Sequence, residues 1–220
     1  MAAVVVTTPY AVDGVRVERV ITSGTFSLDG GTWDVDNNVW LLGDDVECLV
    51  IDAAHDSEAI LDAVGGRTVT AIVCTHAHDD HINQVPTLRE ATGAPVHLHP
   101  DDRVLWDATV DVEPERELAD GQELTVGGVT VQVLHTPGHA PGACCLYVPD
   151  LGVLFSGDTL FQGGPGATGR SYSSFSTIIE SITAKLLTLP ADTLVLTGHG
   201  DPTTIGAEAP HLQEWIDRGH

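Results

Sequence analysis

Four apolar, strand-like segments of this chain each end beside a side chain that can bind a metal ion. In α/β folds, functional residues collect along the sheet edge where successive strands end. The pattern therefore predicts that one edge gathers residues that are distant in sequence. The segments are residues 71–74 before His76, residues 129–134 before His135 and His139, residues 153–155 before Asp158, and residues 193–196 before His199.

The densest group of such side chains lies at positions 75–81, in the sequence THAHDDH. In an extended segment His76 and His78 point the same way, because the side chains of a strand alternate. If the backbone then turns into a helix, Asp80 and His81 point to a neighbouring position. The stretch therefore predicts two ligands for each of two adjacent metal ions.

The composition is that of a globular protein. Of the 220 residues, 42% are hydrophobic and 19% are charged, which favours one well-buried core and argues against disorder. We therefore expect residues 1–220 to form a single domain. No apolar run reaches the roughly 18 residues that a membrane helix needs, and the first residues lack the basic and apolar regions of a signal peptide. The expected location is cytoplasmic.

The net charge of −23 limits the partners. Such a surface repels phosphate backbones and anionic lipids, so neither nucleic acid nor a membrane is expected as a partner. We expect a small-molecule substrate, and the sequence leaves the oligomeric state open. No C-x-x-C pair occurs among Cys48, Cys74, Cys144 and Cys145, and buried reduced thiols are expected.

The predicted elements follow the order strands, helix, strand, helix in both halves of the chain. This order predicts two packed sheets with helices outside, a four-layer αββα sandwich of the α/β (α+β) class. Residues 24–36 are rich in glycine, aspartate and serine, and are expected to form a loop with Trp33 at its tip. Helices are expected at residues 57–64 with Asp56 as N-cap, and at residues 82–92, 175–187 and 207–218.

Together these motifs resemble those of the metallo-β-lactamase superfamily of hydrolases. The resemblance rests on THAHDDH at 75–81, on His139 in HTPGH, on Asp158 in SGDTLF and on His199 in TGHG, and it spans most of the chain. The pattern is most similar to the glyoxalase II branch, which hydrolyses thioesters. One subclass of broad-spectrum β-lactamases carries a cysteine at the position of Asp158, so β-lactam hydrolysis is not the expected native activity.

The resemblance implies a set of ligands for two divalent metal ions. One ion is held by His76, His78 and His139, the other by Asp80, His81 and His199, and both by Asp158. Such ligands suit zinc, which is favoured, and iron or manganese are also compatible. Two such ions hold a hydroxide at neutral pH and polarise a carbonyl group. Asp80 is in addition a candidate catalytic residue that takes a proton from the attacking water.

Other polar residues have weaker interpretations. Asp52 ends a strand, and it is either a carboxylate that orients a ligand or a polar turn residue. Asp79 is expected to face away from the metals, and His135 to be structural or to support a ligand. The remaining histidines lack matched partners and are expected not to bind metal; they are His55, His97, His99, His211 and His220.

Substrate contacts are predicted in two places. The glycine-rich loop that follows Asp158 borders the site in related enzymes, so Arg170 and Tyr172 are candidates to bind a carboxylate or amide of the substrate. An exposed arginine and a packing tyrosine explain the sequence equally well. Trp33 is a candidate lid over the metals, with ordinary loop packing as the alternative.

The leading functional hypothesis is a binuclear metal-dependent hydrolase that cleaves a thioester of a small thiol conjugate. A thiolate leaves without protonation, whereas an amide nitrogen usually needs an acid, and the motifs contain no evident dedicated acid. Only 21 residues follow His199, too few for the helical domain that helps glyoxalase II hold glutathione, so another thiol is equally compatible. The alternatives are a persulfide dioxygenase with one iron on His76, His139 and Asp158, and a lactonase of the same superfamily.

Overall fold

A computed structural model describes residues 3–219 as two facing β-sheets with helices on their outer sides. The first sheet contains, in spatial order, β1 (Val4–Val6), β2 (Arg16–Leu28), β3 (Gly31–Gly43), β4 (Glu47–Ile51), β5 (Thr68–Val73), β6 (Val96–Leu98) and β7 (Arg116–Glu117). The later strands are β8 (Glu123–Val126), β9 (Val129–His135), β10 (Cys144–Val148), β11 (Val153–Gly157), β12 (Leu160–Phe161), β13 (Gly164–Pro165), β14 (Leu194–Thr197) and β15 (Thr203–Thr204). Of these, β12 and β13 pair with each other, and the other six form the second sheet in the order β15-β14-β11-β10-β9-β8.

The helices are short and mostly follow the strands that they cover. They are α1 (Ser57–Val64), α2 (Asp79–Ile82), α3 (Val85–Thr92), α4 (Arg103–Thr109), α5 (Phe175–Ser181), α6 (Ile205–Glu208) and α7 (Leu212–Arg218). A π-helical turn at Ile182–Leu186 extends α5, and 3-10 turns lie at Pro100–Asp102, Pro149–Leu151 and Ala209–His211. None of the helices within residues 3–219 has both the length and the apolar character needed to cross a bilayer.

Alternating side chains of the strands divide the core into three apolar clusters. In β3, Leu41 joins the cluster under α1 and α3, whereas Leu42 joins the cluster between the sheets. In β10, Leu146 faces the same central cluster, whereas Cys145 joins the outer cluster with Ile178 of α5. Strands buried on both faces require cover on both sides. The four-layer αββα prediction is therefore confirmed, and the four cysteines are free and buried as predicted.

Strand direction explains why the site lies at one edge. β5 is parallel to β4 and β6, and β11 is parallel to β14. β9 also runs in the direction of β11, because each of them is antiparallel to β10. Two backbone hydrogen bonds join the sheets at this edge, from Cys144 to Thr75 and from Asn38 to Gly198, both 2.8 Å long. The carboxyl ends of β5, β9, β11 and β14 therefore meet at this edge.

The prediction of a loop at residues 24–36 is wrong. β2 and β3 form one long hairpin with a two-residue turn, Asp29-Gly30, whose φ angles are +53° and +78°. An Asp-Gly pair with both φ angles positive is the preferred type I′ hairpin turn, and this signal was present in the sequence. Trp33 accordingly lies within β3, opposite Phe26, and not at the tip of a loop.

The helix predictions are confirmed in position and corrected at their ends. Asp56 caps α1 by accepting a hydrogen bond from the Ala59 N–H at 3.0 Å. The helix expected at residues 82–92 is split: α2 begins at Asp79, and α3 begins only at Val85. The predicted helix at 207–218 is interrupted by the 3-10 turn that contains Pro210, because proline cannot donate the backbone hydrogen bond that a helix interior requires.

Candidate metal centre

The structure brings all seven predicted ligand side chains together at the shared edge. They are His76 and His78 after β5, Asp80 and His81 on α2, His139 after β9, Asp158 after β11, and His199 after β14. Three overlapping triads of these residues each place one ligand atom per residue within 4.8 Å of the others. The residues that lie far apart in sequence thus form one continuous group.

Three imidazole nitrogens form a first cluster. Nδ1 of His78 lies 3.0 Å from Nε2 of His76 and 3.0 Å from Nε2 of His139. Nδ1 of His139 donates to the carbonyl of Ala167 at 2.8 Å, so the lone pair of Nε2 points into the cluster. Burial, followed by repulsion from His139, lowers the pKa of His78 to about 3, and burial also lowers the pKa of His76 and His139. The three rings are neutral at pH 7, which is the form that binds a metal.

Asp80, His81 and His199 form a second cluster. The Nε2 atoms of His81 and His199 are 3.2 Å apart, and Oδ2 of Asp80 lies 3.5 Å and 3.3 Å from them. Burial lowers the pKa of both histidines, but nearby carboxylates outweigh it. Asp80, Asp158 and Asp52 raise the pKa of His81 to about 9, and Asp158 raises that of His199 to about 11. In the metal-free chain this cluster therefore holds protons.

Asp158 lies between the two clusters. Its Oδ2 is 3.5 Å from Nε2 of His139 and 3.4 Å from Nε2 of His199, and its Oδ1 is 3.5 Å from Nε2 of His81. Burial raises the pKa of Asp158, but His199 and His81 outweigh it and hold the pKa well below its usual value. Oδ1 is nevertheless buried without a hydrogen-bond partner among the described residues. A buried, ionised carboxylate with an unused lone pair suits a bound cation.

Two glycines leave the space that Asp158 occupies. A Cβ atom at Gly198 would overlap Oδ1 of Asp158 and lie 2.8 Å from Cε1 of His81. A Cβ atom at Gly166 would overlap the backbone oxygen of Asp158. Gly198 in TGHG and Gly166 in the loop after Asp158 are therefore steric requirements of the site.

The donor sets fit two divalent cations. Tetrahedral coordination at 2.0–2.2 Å separates neighbouring ligand atoms by about 3.3–3.6 Å. The separations within and between the clusters are 3.0–3.5 Å. One cluster offers three imidazoles, the other offers two imidazoles and a carboxylate, and Asp158 is within reach of both. Such nitrogen and oxygen donors suit zinc, iron and manganese.

Asp52 supports the second cluster through its contact with His81. Its Oδ1 accepts from the Thr75 N–H at 2.7 Å, and its Oδ2 accepts from the Thr75 hydroxyl at 2.9 Å. Oδ2 also lies 2.8 Å from Nδ1 of His81. Of the two interpretations offered by the sequence, the structure supports the ligand-orienting carboxylate.

Sequence reasoning missed a second buried carboxylate, Asp102. It accepts from the Ala77 N–H, between His76 and His78, at 2.7 Å, and from the Gly142 N–H. Burial raises the pKa of Asp102 to about 6. Asp102 thus links the segment that carries His76 and His78 to the loop after His139. The sequence gives no signal for this role, because Asp101-Asp102 looks like a polar helix start.

The remaining histidines and Asp79 lie outside the two clusters. The Asp79 carboxylate faces β2, where it accepts from the Ser27 N–H at 3.0 Å. Asp101, His99 and His135 form a separate group, in which the two rings stack at 3.8 Å with an interplanar angle of 14°. Nitrogen lone pairs lie in the ring planes, so parallel rings do not direct them at one ion, and His135 instead donates to the Pro141 carbonyl. His220 lies outside the described residues.

Two of the predicted substrate residues, Arg170 and Trp33, pack against Phe26 at one rim of the site. The Arg170 guanidinium lies 4.0 Å from the ring centroid of Trp33 and 5.1 Å from that of Phe26, and the Phe26 ring is 5.1 Å from His78. The incorrect loop prediction for residues 24–36 excludes Phe26 from the predicted site. Tyr172 is 55% exposed and has a φ of +66°, which is strained for a bulky residue. Contact of these residues with a substrate stays a prediction.

The sequence of this chain is similar to those of known hydrolases. The model of the metallo-beta-lactamase superfamily matches residues 32–199. An uncharacterised protein of Aquifex aeolicus is 40% identical over 74% of this chain and 82% of its own length. The probable metallo-hydrolase YqgX of Bacillus subtilis is 38% identical over 78% of this chain and 88% of its own length. The hydroxyacylglutathione hydrolase GloC of Haemophilus influenzae is 29% identical over 75% of this chain and 85% of its own length.

Solved structures show the same relationship. BLEG-1 B3 metallo-beta-lactamase has a TM-score of 0.74 and 34% identity, covering 86% of this chain and 97% of its own. TTHA1623, solved in a di-iron-bound form, has a TM-score of 0.70 and 35% identity, covering 80% of this chain and 93% of its own. ETHE1 from Myxococcus xanthus has a TM-score of 0.71 and 27% identity, covering 91% of this chain and 89% of its own. With the two clusters at the shared sheet edge, these matches show that this chain belongs to the metallo-β-lactamase superfamily.

Proposed function

We propose that this protein is a binuclear metal-dependent hydrolase that cleaves a thioester of a small thiol conjugate. The observation that carries the proposal is the convergence of two three-residue clusters with Asp158 between them. The hydroxyacylglutathione hydrolase among the relatives supports thioester cleavage. The glyoxalase II-like branch is the corresponding assignment within the superfamily.

In this proposal the first cluster holds one divalent ion and the second cluster holds the other. Bound together, such a pair activates water at neutral pH and polarises a carbonyl group. Zinc is the favoured metal, and the di-iron form of TTHA1623 supports iron as well. The neutral first cluster is ready to accept an ion, whereas His81 and His199 must first release protons.

Asp80 is the proposed acceptor for the proton of the attacking water. Burial raises its pKa, but His81 and His199 outweigh burial and lower the pKa to about 2, so the carboxylate is ionised at neutral pH. Its Oδ2 faces the second cluster, where it can accept a hydrogen bond from a water molecule. A thiolate leaving group needs no proton, and the site accordingly requires only an acceptor.

Arg170, Tyr172 and Trp33 are the proposed substrate-binding residues. The Arg170 guanidinium is held over two aromatic rings, and cations stacked in this way keep their N–H groups free at the ring edge. A carboxylate or amide of the substrate bound there would lie next to Phe26 and His78. Replacing Arg170 with alanine is expected to raise KM more than it lowers kcat.

The first test is the metal content of the purified protein, followed by a substrate screen. Two zinc, iron or manganese ions per chain and turnover of thioesters would support the proposal. The screen should compare one acyl group on glutathione and on smaller thiols, together with a lactone. Two bound ions with no turnover of any thioester would overturn the substrate assignment, and a metal-free active protein would overturn the mechanism.

A matched pair of variants tests the site itself. His76→Ala removes a first-cluster nitrogen and is expected to abolish activity and the binding of at least one ion. His211→Ala removes an exposed histidine that pairs only with Glu214 among the described contacts, and is expected to change neither. Equal activity of the two variants would contradict the assignment.

The alternative is a persulfide dioxygenase with one iron on His76, His139 and Asp158. The observation that favours it is the contact of these residues: Oδ2 of Asp158 lies 3.5 Å from Nε2 of His139, and Asp158 shares a group of possible ligands with His76. Two histidines and one carboxylate are the usual ligands of a single non-haem iron. One iron per chain, with oxygen consumed in proportion to a persulfide substrate, would establish this alternative in place of the hydrolase.

A further inference from the structure

A chain of hydrogen bonds, buried at Asp80 and partly buried at His55, leads from the second cluster to His55, a histidine that the sequence motifs do not include in the site. Nδ2 of Asn37 lies 3.0 Å from Oδ2 of Asp80. Oδ1 of Asn37 lies 2.9 Å from Nε2 of His55. Nδ1 of His55 lies 3.0 Å from Nδ2 of Asn83, and Oδ1 of Asn83 accepts from the His55 backbone N–H at 2.7 Å.

Both ends of this chain fix the direction of every bond in it. An ionised Asp80 only accepts, so Asn37 must turn its amide N–H towards Asp80 and its oxygen towards His55. The backbone N–H of His55 only donates, so Asn83 must turn its oxygen there and its amide N–H towards Nδ1. Nε2 of His55 is therefore the protonated nitrogen, and the ring is neutral. Burial lowers the pKa of His55, which agrees with this form.

The backbone is shaped to hold the His55 ring in this place. His55 has a φ of +57°, an uncommon value for a residue other than glycine. A Cβ atom at Gly24 of β2 would overlap the ring, so the ring packs directly against the backbone of that strand. Strain of this kind persists where the surrounding structure enforces it, and it is concentrated at functional sites.

We propose that His55 is a positioning residue for the second metal ion. Through Asn37 it holds Oδ2 of Asp80 in the orientation that completes the second cluster. The proposal rests on the proposed function, since it takes Asp80, His81 and His199 as ligands. The first cluster is supported separately, by Ala167 and Asp102, so His55 affects one ion and not the other.

Two variants of His55 separate the donor from the ring. His55→Asn tolerates a positive φ but is too short to reach Asn37, whereas His55→Gln can place an amide N–H at the position of Nε2. Titration of the metal-free protein with zinc in competition with a chelator gives one dissociation constant per site. His55→Asn is expected to weaken the second site by about tenfold to a hundredfold, as for other residues that orient a ligand. The first site is expected to stay unchanged, and His55→Gln to restore most of the loss.

The outcomes distinguish this inference from the proposed function. A wild-type chain that binds fewer than two ions would overturn the binuclear site and the role of His55 together. Two ions bound equally well by all three proteins would overturn the role of His55 alone. Equal weakening of both sites would mean a structural effect and would also overturn it. Nitrogen NMR of the unmodified protein is independent of the variants: a His55 ring protonated at Nδ1 would contradict the hydrogen-bond chain.

Discussion

The carboxylate of Asp52 lies 2.8 Å from Nδ1 of His81 and is buried with it. The same carboxylate accepts from the Thr75 N–H through its other oxygen. Asp52 therefore fixes the tautomer of His81: with a proton on Nδ1, the lone pair of Nε2 faces the second cluster. Ligand histidines are commonly oriented in this way.

Replacing Asp52 with asparagine should reverse this orientation. The Asn oxygen can still accept from Thr75, but its amide N–H then faces Nδ1 of His81 and favours the proton on Nε2. We expect the affinity for the second ion to fall about tenfold to a hundredfold, measured by chelator competition. Asp56→Asn is the control, because asparagine caps a helix as well as aspartate does. Equal affinities in Asp52→Asn and the control would contradict the role of Asp52.

The two clusters should respond differently to pH. The pKa of His81 is raised to about 9 and that of His199 to about 11, so between pH 6.5 and 9 an ion entering the second cluster must displace two protons. Each displaced proton makes the affinity rise about tenfold per pH unit. The pKa of His78 is lowered to about 3, and burial holds the pKa of His76 and His139 below the ordinary histidine value, so an ion entering the first cluster displaces fewer protons.

This difference is measurable by zinc titration at pH 6.5, 7.5 and 8.5 in buffers that do not bind zinc. The second dissociation constant should fall steeply across the series, and the first should change little. Parallel changes in both constants would show that the clusters hold the same number of protons.

The sequence predicted the residues that form the two clusters better than the residues that support them. His76 and His199 lie in short motifs after apolar strands, so their spacing and resemblance identified them. Asn37 and Asp102 each act through two contacts with distant segments, which local patterns do not encode. The fold was predicted because strand order and burial are periodic. The β2–β3 hairpin was missed because its outer half lies beyond the core, where polar and glycine residues replace the apolar alternation.

Gly198 should be intolerant of any side chain. Its Cβ atom would overlap Oδ1 of Asp158 and crowd His81, so Gly198→Ala is expected to displace both side chains and to lower metal content and activity strongly. Overpacking of this kind costs about 1–3 kcal/mol of folding stability. Gly200→Ala is the control: it has open space around the Cβ position but a φ of +68°. It should lose stability through backbone strain while still binding metal, as judged by thermal unfolding and metal analysis. Full metal content in Gly198→Ala would contradict the steric argument.

The contact between Asp29 and Ser171 should keep the rim of the site ordered. Asp29, in the β2–β3 turn, accepts from the Ser171 N–H at 3.0 Å and from its hydroxyl at 2.7 Å, next to the stacked Arg170 and Trp33. Asp29→Gly removes both bonds and keeps the positive φ of the turn without strain. It should raise KM several-fold with little change in kcat, because substrate contacts are loosened while the metal clusters are untouched. Hydrogen exchange of the Ser171 amide should become faster in the same variant. Asp34→Ala, which removes an equal charge from the same hairpin, is the control, and identical exchange in both variants would show that the contact does not order the rim.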